Sequence, residues 1–409
     1  MPPARRLLPV AVAVLLVANV AGLMVHDDDP RTPRVVSGPS TTMTVSPSST
    51  VPGTSTTAKD EPLVPPELAG LIAELEAFVE AKRGLTFLHP VKITLLSDKD
   101  FRKRIDDQSK YDQAEVDKTT RVLRALDLIP AGTDLAKAQR ELLGGAVVGY
   151  YDAKAKALFV RGGKPTPAVR ETLVHELTHA AQDQHFGVDR PDLAKKEDES
   201  DQAWSGLAEG DAVRIEQLYL ASLSKKEQDA AAKEQAKQTG GIKDVPRVLI
   251  EALSFPYVVG PRFVQTVVGR AGQARLDAAF AAPPTTSEQL LHPDKFLAGE
   301  GALEVPDPPT DNNAKVIDRG VFGEFGFIQQ LEDVITDQNA LFRAAAGWGG
   351  DRYVAWDEGP KTCVRVDVVM DTPQDADDLR RALQKWVDRH QGADLSPAGS
   401  SPLRFTSCA

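Results

Sequence analysis

One segment constrains this chain more than any other, residues 166–187. Thr166 is a good helix N-cap, Pro167 suits the first helical position, Glu171 follows as an early acid, and Gly187 ends the run. A helix is therefore expected from Pro167 to about Gln184. Inside it reads Val174-His175-Glu176-Leu177-Thr178-His179. Two histidines four residues apart differ by about 40° around a helix, so both imidazoles face one side and can hold one metal ion. Glu176 lies about 100° round, beside such an ion rather than on it. Leu173, Val174 and Leu177 favour a buried helix over a surface helix with two solvated histidines. With 7 His in 409 residues, the pattern arises by chance on the order of once in a hundred such chains.

The pattern implies a particular chemistry. A carboxylate beside the metal can take a proton from a metal-activated water, while Zn²⁺ acidifies that water and polarises a scissile carbonyl. Such a site needs a third protein ligand and an open position. Glu209, on the next expected helix, is one candidate. His185, six residues after His179, is the other, and its spacing matches the metzincin pattern H-E-x-x-H-x-x-G-x-x-H. The glycine of that pattern is Gln182 here, and a continuing helix carries His185 about 240° round, off the metal face. Met370 is the only methionine of the folded body, so no Met-turn is evident. Glu209 is favoured.

His175, Glu176 and His179 with Glu209 thirty residues on resemble the gluzincins, the thermolysin-like clan of zinc peptidases. Shorter stretches resemble a family of exported bacterial proteins with zinc-peptidase motifs. They are His175 to Gln184, Glu209-Gly210-Asp211-Ala212, Ser287-Glu288-Gln289-Leu290-Leu291-His292-Pro293 and Gly347-Trp348-Gly349-Gly350-Asp351-Arg352-Tyr353. The resemblance implies a Zn²⁺ cofactor, Glu176 as general base, and an edge strand beside the metal helix that pairs with extended peptide substrate. It also implies an acid four residues after the third ligand to orient a metal histidine. That position is Val213, so Asp201 and Asp183 are considered for the role. An oxyanion donor is also needed. His292 is preferred as this second catalytic residue, ahead of Tyr257 and Tyr353. Trp348 either packs or lines a cleft.

The rest of the chain sets the context. Arg5 and Arg6 precede an apolar run, Leu7 to Val25, which Asp27, Asp28 and Asp29 close. Nineteen helical residues span roughly 28 Å, near the thickness of a bilayer core. Residues 1–26 are expected to be a signal anchor, or a cleaved signal peptide, and either exports the body. Residues 27–65, rich in Ser, Thr and Pro, read as a stalk. Cys363 and Cys408 are expected to pair in an oxidising compartment. Net charge is −11, which argues against a nucleic-acid-binding face.

The expected fold is α+β and mainly helical. A zincin-like metallohydrolase domain spans 66–310, with a small sheet ending in a hairpin over 146–161. A C-terminal α/β subdomain spans 311–409. Helices are expected at 245–253 and 260–270, and a Pro-rich stretch at 303–310 precedes the last unit. The function expected is a membrane-tethered, extracytoplasmic zinc peptidase acting on peptide or protein substrates. Two alternatives stand beside it: a non-catalytic zincin-fold binding or scaffold protein of the envelope, and a zinc hydrolase of a non-peptide amide.

Overall fold

The computed structural model describes residues 12–14, 64–108, 112–162, 164–239 and 244–409. The expected membrane segment and stalk fall outside these residues, apart from Val12–Val14 and the stalk's last two positions. Among the described residues no helix is long and apolar enough to cross a membrane.

A small sheet and a helical body make up the first part. Val12–Val14 forms a short strand, β1. Helix α1 (Ala69–Arg83) buries Ile72, Leu75 and Val79 and stops at Gly84, whose φ of 80° suits glycine. Strand β2 (Lys92–Leu96) leads into helices α2 (Asp98–Gln108), α3 (Gln113–Ala125) and α4 (Leu135–Ala146). Strands β3 (Val147–Asp152) and β4 (Ala157–Arg161) form the expected antiparallel hairpin. Its tip is closed by Asp152, whose side chain accepts from the backbone N–H of Lys154 and Ala155 at 3.1 and 2.9 Å. The sheet order is β1-β3-β4-β2, with β2 parallel to β4.

Helix α5 (Pro167–Phe186) begins as its sequence dictates. Thr166 accepts from the Val169 N–H, and Pro167 fills the first turn. Residues 171–183 are buried without a break, so this helix lies inside the body rather than on it. Helix α6 (Ser200–Ser222) packs across it, followed by the charged α7 (Lys225–Thr239). Next comes α8 (Arg247–Ala271), a single helix where the sequence suggests two. Pro256 and Pro261 lie inside it, and each lacks an N–H and cannot donate to the carbonyl four residues earlier. The helix continues because its Val248, Leu253, Phe255, Val259, Phe263, Val264 and Val267 are all buried. Its long contact with α6 outweighs two missing bonds. Three short helices follow: α9 (Gln273–Ala281), α10 (Ser287–Leu291) and α11 (Pro293–Ala298).

The C-terminal unit is an antiparallel five-stranded sheet with helices on one face. Its elements are β5 (Val316–Gly320), α12 (Gly323–Leu331), α13 (Gln338–Ala345), β6 (Trp348–Glu358), β7 (Lys361–Met370), α14 (Pro373–Val387), β8 (Ala393–Leu395) and β9 (Leu403–Cys408). The strand order is β5-β6-β7-β9-β8. Leu379, Leu383 and Trp386 of α14 share a core with Val364, Val366 and Phe405 of the sheet. Cys363 lies opposite Cys408 in the β7–β9 register, and the two are joined by a disulfide. The unit does not stand apart. Val122 and Ala125 of α3, with Leu126 just beyond it, belong to the same core.

Buried polar contacts order the C-terminal unit and its joint with the first part. Asp351 accepts from the Phe322 and Gly323 N–H groups, both at 2.7 Å, and from Trp348 Nε1 at 2.8 Å. This contact accounts for the Trp348-to-Asp351 spacing and places Trp348 in the core, fully buried. Glu199, at the start of α6, accepts from Ser287 N at 3.1 Å and lies against the bare Cα of Gly323. Burial pushes its carboxyl up to about 7 from an ordinary 4.5. A carboxyl raised in the folded state contributes fully while protonated, below pH about 4.5, and that contribution fades as pH rises toward 7. Glu199→Gln keeps the shape without the charge. It is expected to stabilise the protein by on the order of 1–3 kcal/mol at pH 8 and negligibly at pH 4. Thermal melts at both values check this, and an equal shift at the two would contradict it.

Candidate metal centre

Three side chains converge between α5 and α6. His175 Nε2 and His179 Nε2 are 3.1 Å apart, and each is 3.1 Å from Glu209 Oε2. All three residues are buried. The histidines meet because one helical turn separates them. Glu209 reaches them because α6 crosses close to α8 at Gly206, Gly210 and Gly260, where helix backbones touch without side chains between. His185, by contrast, lies at the end of α5 with Nε2 2.8 Å from the Thr86 carbonyl. The structure gathers Glu209, not His185, with the histidine pair.

The outer ring nitrogens decide what the inner ones can do. His175 Nδ1 is 2.7 Å from Glu216 Oε2, and a carboxylate there accepts the Nδ1 proton. His179 Nδ1 is 2.9 Å from Gln182 Oε1. With both Nδ1 atoms donating outward, the neutral rings turn two lone pairs toward the Glu209 carboxylate, and no donor lies among these three atoms. A divalent cation answers that arrangement. Tetrahedral ligands about 2.0–2.1 Å from one Zn²⁺ are themselves separated by about 3.3 Å, close to the observed spacing. A set of two imidazoles and one carboxylate, three protein ligands in all, suits zinc with one position open.

Glu176 is fully buried beside this triad, and neither of its carboxylate oxygens has a partner in full hydrogen-bond geometry, although the Tyr151 backbone N–H of β3 favours its charge. Burial pushes its carboxyl up to about 7, against the pull of His175 and His179. Glu209 moves the other way. Burial would raise it, but the two histidines bring it down to about 2, so it is ionised and able to ligate. Burial disfavours charge on His175, yet Glu209 and Glu216 hold its pKa well above the ordinary value. The centre thus attracts positive charge.

The remaining candidates are distributed as follows. Tyr257, on α8, lies at the triad. Its ring stacks 6.2 Å from that of His175, and its hydroxyl is hydrogen-bonded to Glu209. His292 is not brought there. Its Nε2 is 2.9 Å from Glu324 Oε1, at the seam of α10 and α12. Tyr353 donates to Asp318 within the C-terminal sheet. Asp183 accepts from Tyr151 Oη at 2.7 Å and Lys156 Nζ at 2.6 Å, which ties the hairpin to the metal helix. Glu216 and Gln182, which sequence reasoning missed, are the groups that meet the outer ring nitrogens of His175 and His179. One signal was available for Glu216: it follows Glu209 by seven residues, two turns along the same helix face.

A family model described as a domain of unknown function (DUF8575) matches residues 268–405. That span includes His292 and the Trp348–Tyr353 stretch but none of the converging residues. No curated protein and no solved structure matches the chain.

Proposed function

We propose that this chain is a zinc-dependent peptidase carried outside the cytoplasmic membrane on its N-terminal segment. The observation that carries this reading is the convergence of His175, His179 and Glu209 with a buried Glu176 beside them that lacks a partner in full hydrogen-bond geometry. A site that only held a structural ion would have no use for a carboxylate buried at a cost that no full hydrogen bond offsets.

Bound zinc would supply Lewis-acid polarisation of a water and of a carbonyl. The protein's own groups do the rest. Glu176, with its carboxyl near 7, is matched to accept a proton from the attacking water and return it to the leaving amine. Tyr257 stays protonated, since burial and Glu209 hold its hydroxyl well above the usual phenol range. It orients Glu209 and is the candidate donor for an oxyanion. Strand β3 packs against this helix but is paired on both sides, by β1 (Val12–Val14) and β4, so the edge strand expected for an extended peptide is already occupied. The Cys363–Cys408 disulfide fits an oxidising compartment.

The test is chelator-sensitive cleavage of a broad peptide library by full-length protein. Glu176→Gln is expected to lower turnover by about 10²–10⁴-fold with zinc content unchanged. Zinc bound at one equivalent without hydrolysis of any peptide, by wild type as by the variant, would replace this reading with a zincin-fold binding protein or a hydrolase of non-peptide amides.

A further inference from the structure

We infer that Gln182, Asp211 and Arg83 are positioning residues that lock His179 into the tautomer whose Nε2 lone pair faces Glu209. The inference rests on the metal-site reading above and names what holds that site in order.

The argument begins at Gln182, whose amide has a forced orientation. One end lies 3.1 Å from the Ala208 carbonyl and 3.1 Å from Asp211 Oδ2. Both are acceptors, so the NH₂ must face them. The oxygen is then left facing His179 Nδ1 at 2.9 Å, and that nitrogen must carry the proton. A neutral imidazole protonated at Nδ1 presents its lone pair at Nε2, toward Glu209. Gln182 thus translates the placement of two distant acceptors into the protonation of a metal-facing ring.

Asp211 is itself held in place. Arg83, the last residue of α1, donates to it through Nε, and Arg214 Nη2 reaches its other oxygen at 2.9 Å. Arg83 is buried, and its Nη1 pairs with Asp277 of α9 at 2.7 Å. With Arg83 on one carboxylate oxygen and Arg214 on the other, Asp211 has little freedom to turn its acceptor oxygen away from Gln182. The chain His179–Gln182–Asp211–Arg83–Asp277 therefore ties α1, α5, α6 and α9 to one ring nitrogen. None of these partners touches the converging ligand atoms.

The two histidines are held differently. His175 is oriented by a carboxylate, Glu216, whereas His179 is oriented by a neutral amide that depends on a charged pair behind it. Position 182 is also where the metzincin pattern requires glycine to turn the chain. Here the helix runs on to Phe186, and the side chain at 182 folds back to serve the ring one turn earlier.

The experiment measures zinc affinity of full-length protein by competition with a chromophoric chelator, together with the visible absorption of the cobalt(II)-substituted form. Wild type, Gln182→Met, Asp211→Asn and, as a control on the same helix, His185→Ala are compared. Gln182→Met is expected to weaken zinc binding about 10–100-fold and to shift the cobalt bands, because the ring can rotate or change tautomer. Asp211→Asn should fall between it and wild type, and His185→Ala should match wild type. If Gln182→Met does not fold, Asp211→Asn carries the comparison. Wild-type affinity and an unchanged cobalt spectrum in the folded variants would overturn the positioning role alone. Wild type that binds no metal would overturn the metal-site reading with it.

Discussion

Gly260→Ala is expected to destabilise the protein by about 3 kcal/mol or more, although alanine is the better helix former by about 1 kcal/mol. The sign follows from what the new methyl meets. A Cβ at Gly260 falls onto the Gly206 carbonyl oxygen and 2.9 Å from the Gly210 Cα. These are backbone atoms, so no change of rotamer relieves the clash and α6 must move away from α8. Glu209 sits next to Gly210, so the same substitution is expected to disturb the cluster of His175, His179 and Glu209. Gly269 is the matched control. It lies in the same helix, and its Cβ would meet nothing within 4 Å. Gly269→Ala should therefore be neutral or stabilising by up to about 1 kcal/mol. Denaturant melts of the two variants check the pair. Similar midpoints would show that α6 and α8 do not approach as described.

That crossing was not legible in the amino-acid sequence. The glycines at 210 and 260 read locally as weak points in helices, and only the packing shows that they permit contact between two backbones, while Gly206 makes room for the Leu290 side chain. The prolines at 256 and 261 present the opposite case. Local propensity says the helix should break, and burial of an apolar face along 25 residues overrides it. By contrast, α5 was readable end to end, because Thr166, Pro167 and Gly187 are local signals that act within one turn. The hairpin over 146–161 was readable for a similar reason, and the Cys363–Cys408 pair because the chain has 2 cysteines and is expected to be exported. Strands β5 and β8 were not, being short and dependent on partners distant in the chain.

The same division runs through the site. Residues joined by helical periodicity, His175, Glu176 and His179, could be grouped from spacing alone. Glu209 needed a choice between two distances along the chain, and the helix geometry that disfavoured His185 is what the fold displays. Glu216 and Gln182 could not be assigned. Their roles depend on which ring nitrogen they meet, and that is a matter of how α5 and α6 are rotated against each other. His292 was preferred as a donor from its loop-like setting, with its place before Pro293 pointing instead to a turn. The fold gives its ring to Glu324, and the aromatic hydroxyl at the triad belongs to Tyr257.

The largest expected effect on the centre itself is that of Glu209. Removing its carboxylate leaves two imidazoles as the only ligands and takes away the negative charge that offsets a divalent ion. The loss should exceed the roughly 10–100-fold that an outer hydrogen-bond partner is worth. The protein should survive the change better than it survives most losses of buried charge, since His175 and His179 can remain neutral. Metal analysis of full-length wild type, Glu209→Ala and His185→Ala, each folded with zinc and then dialysed, is the direct test. One equivalent of zinc in wild type and in His185→Ala, with little or none in Glu209→Ala, is the predicted result. Zinc retained by Glu209→Ala, or absent from wild type, would contradict the assignment of this triad as a metal centre.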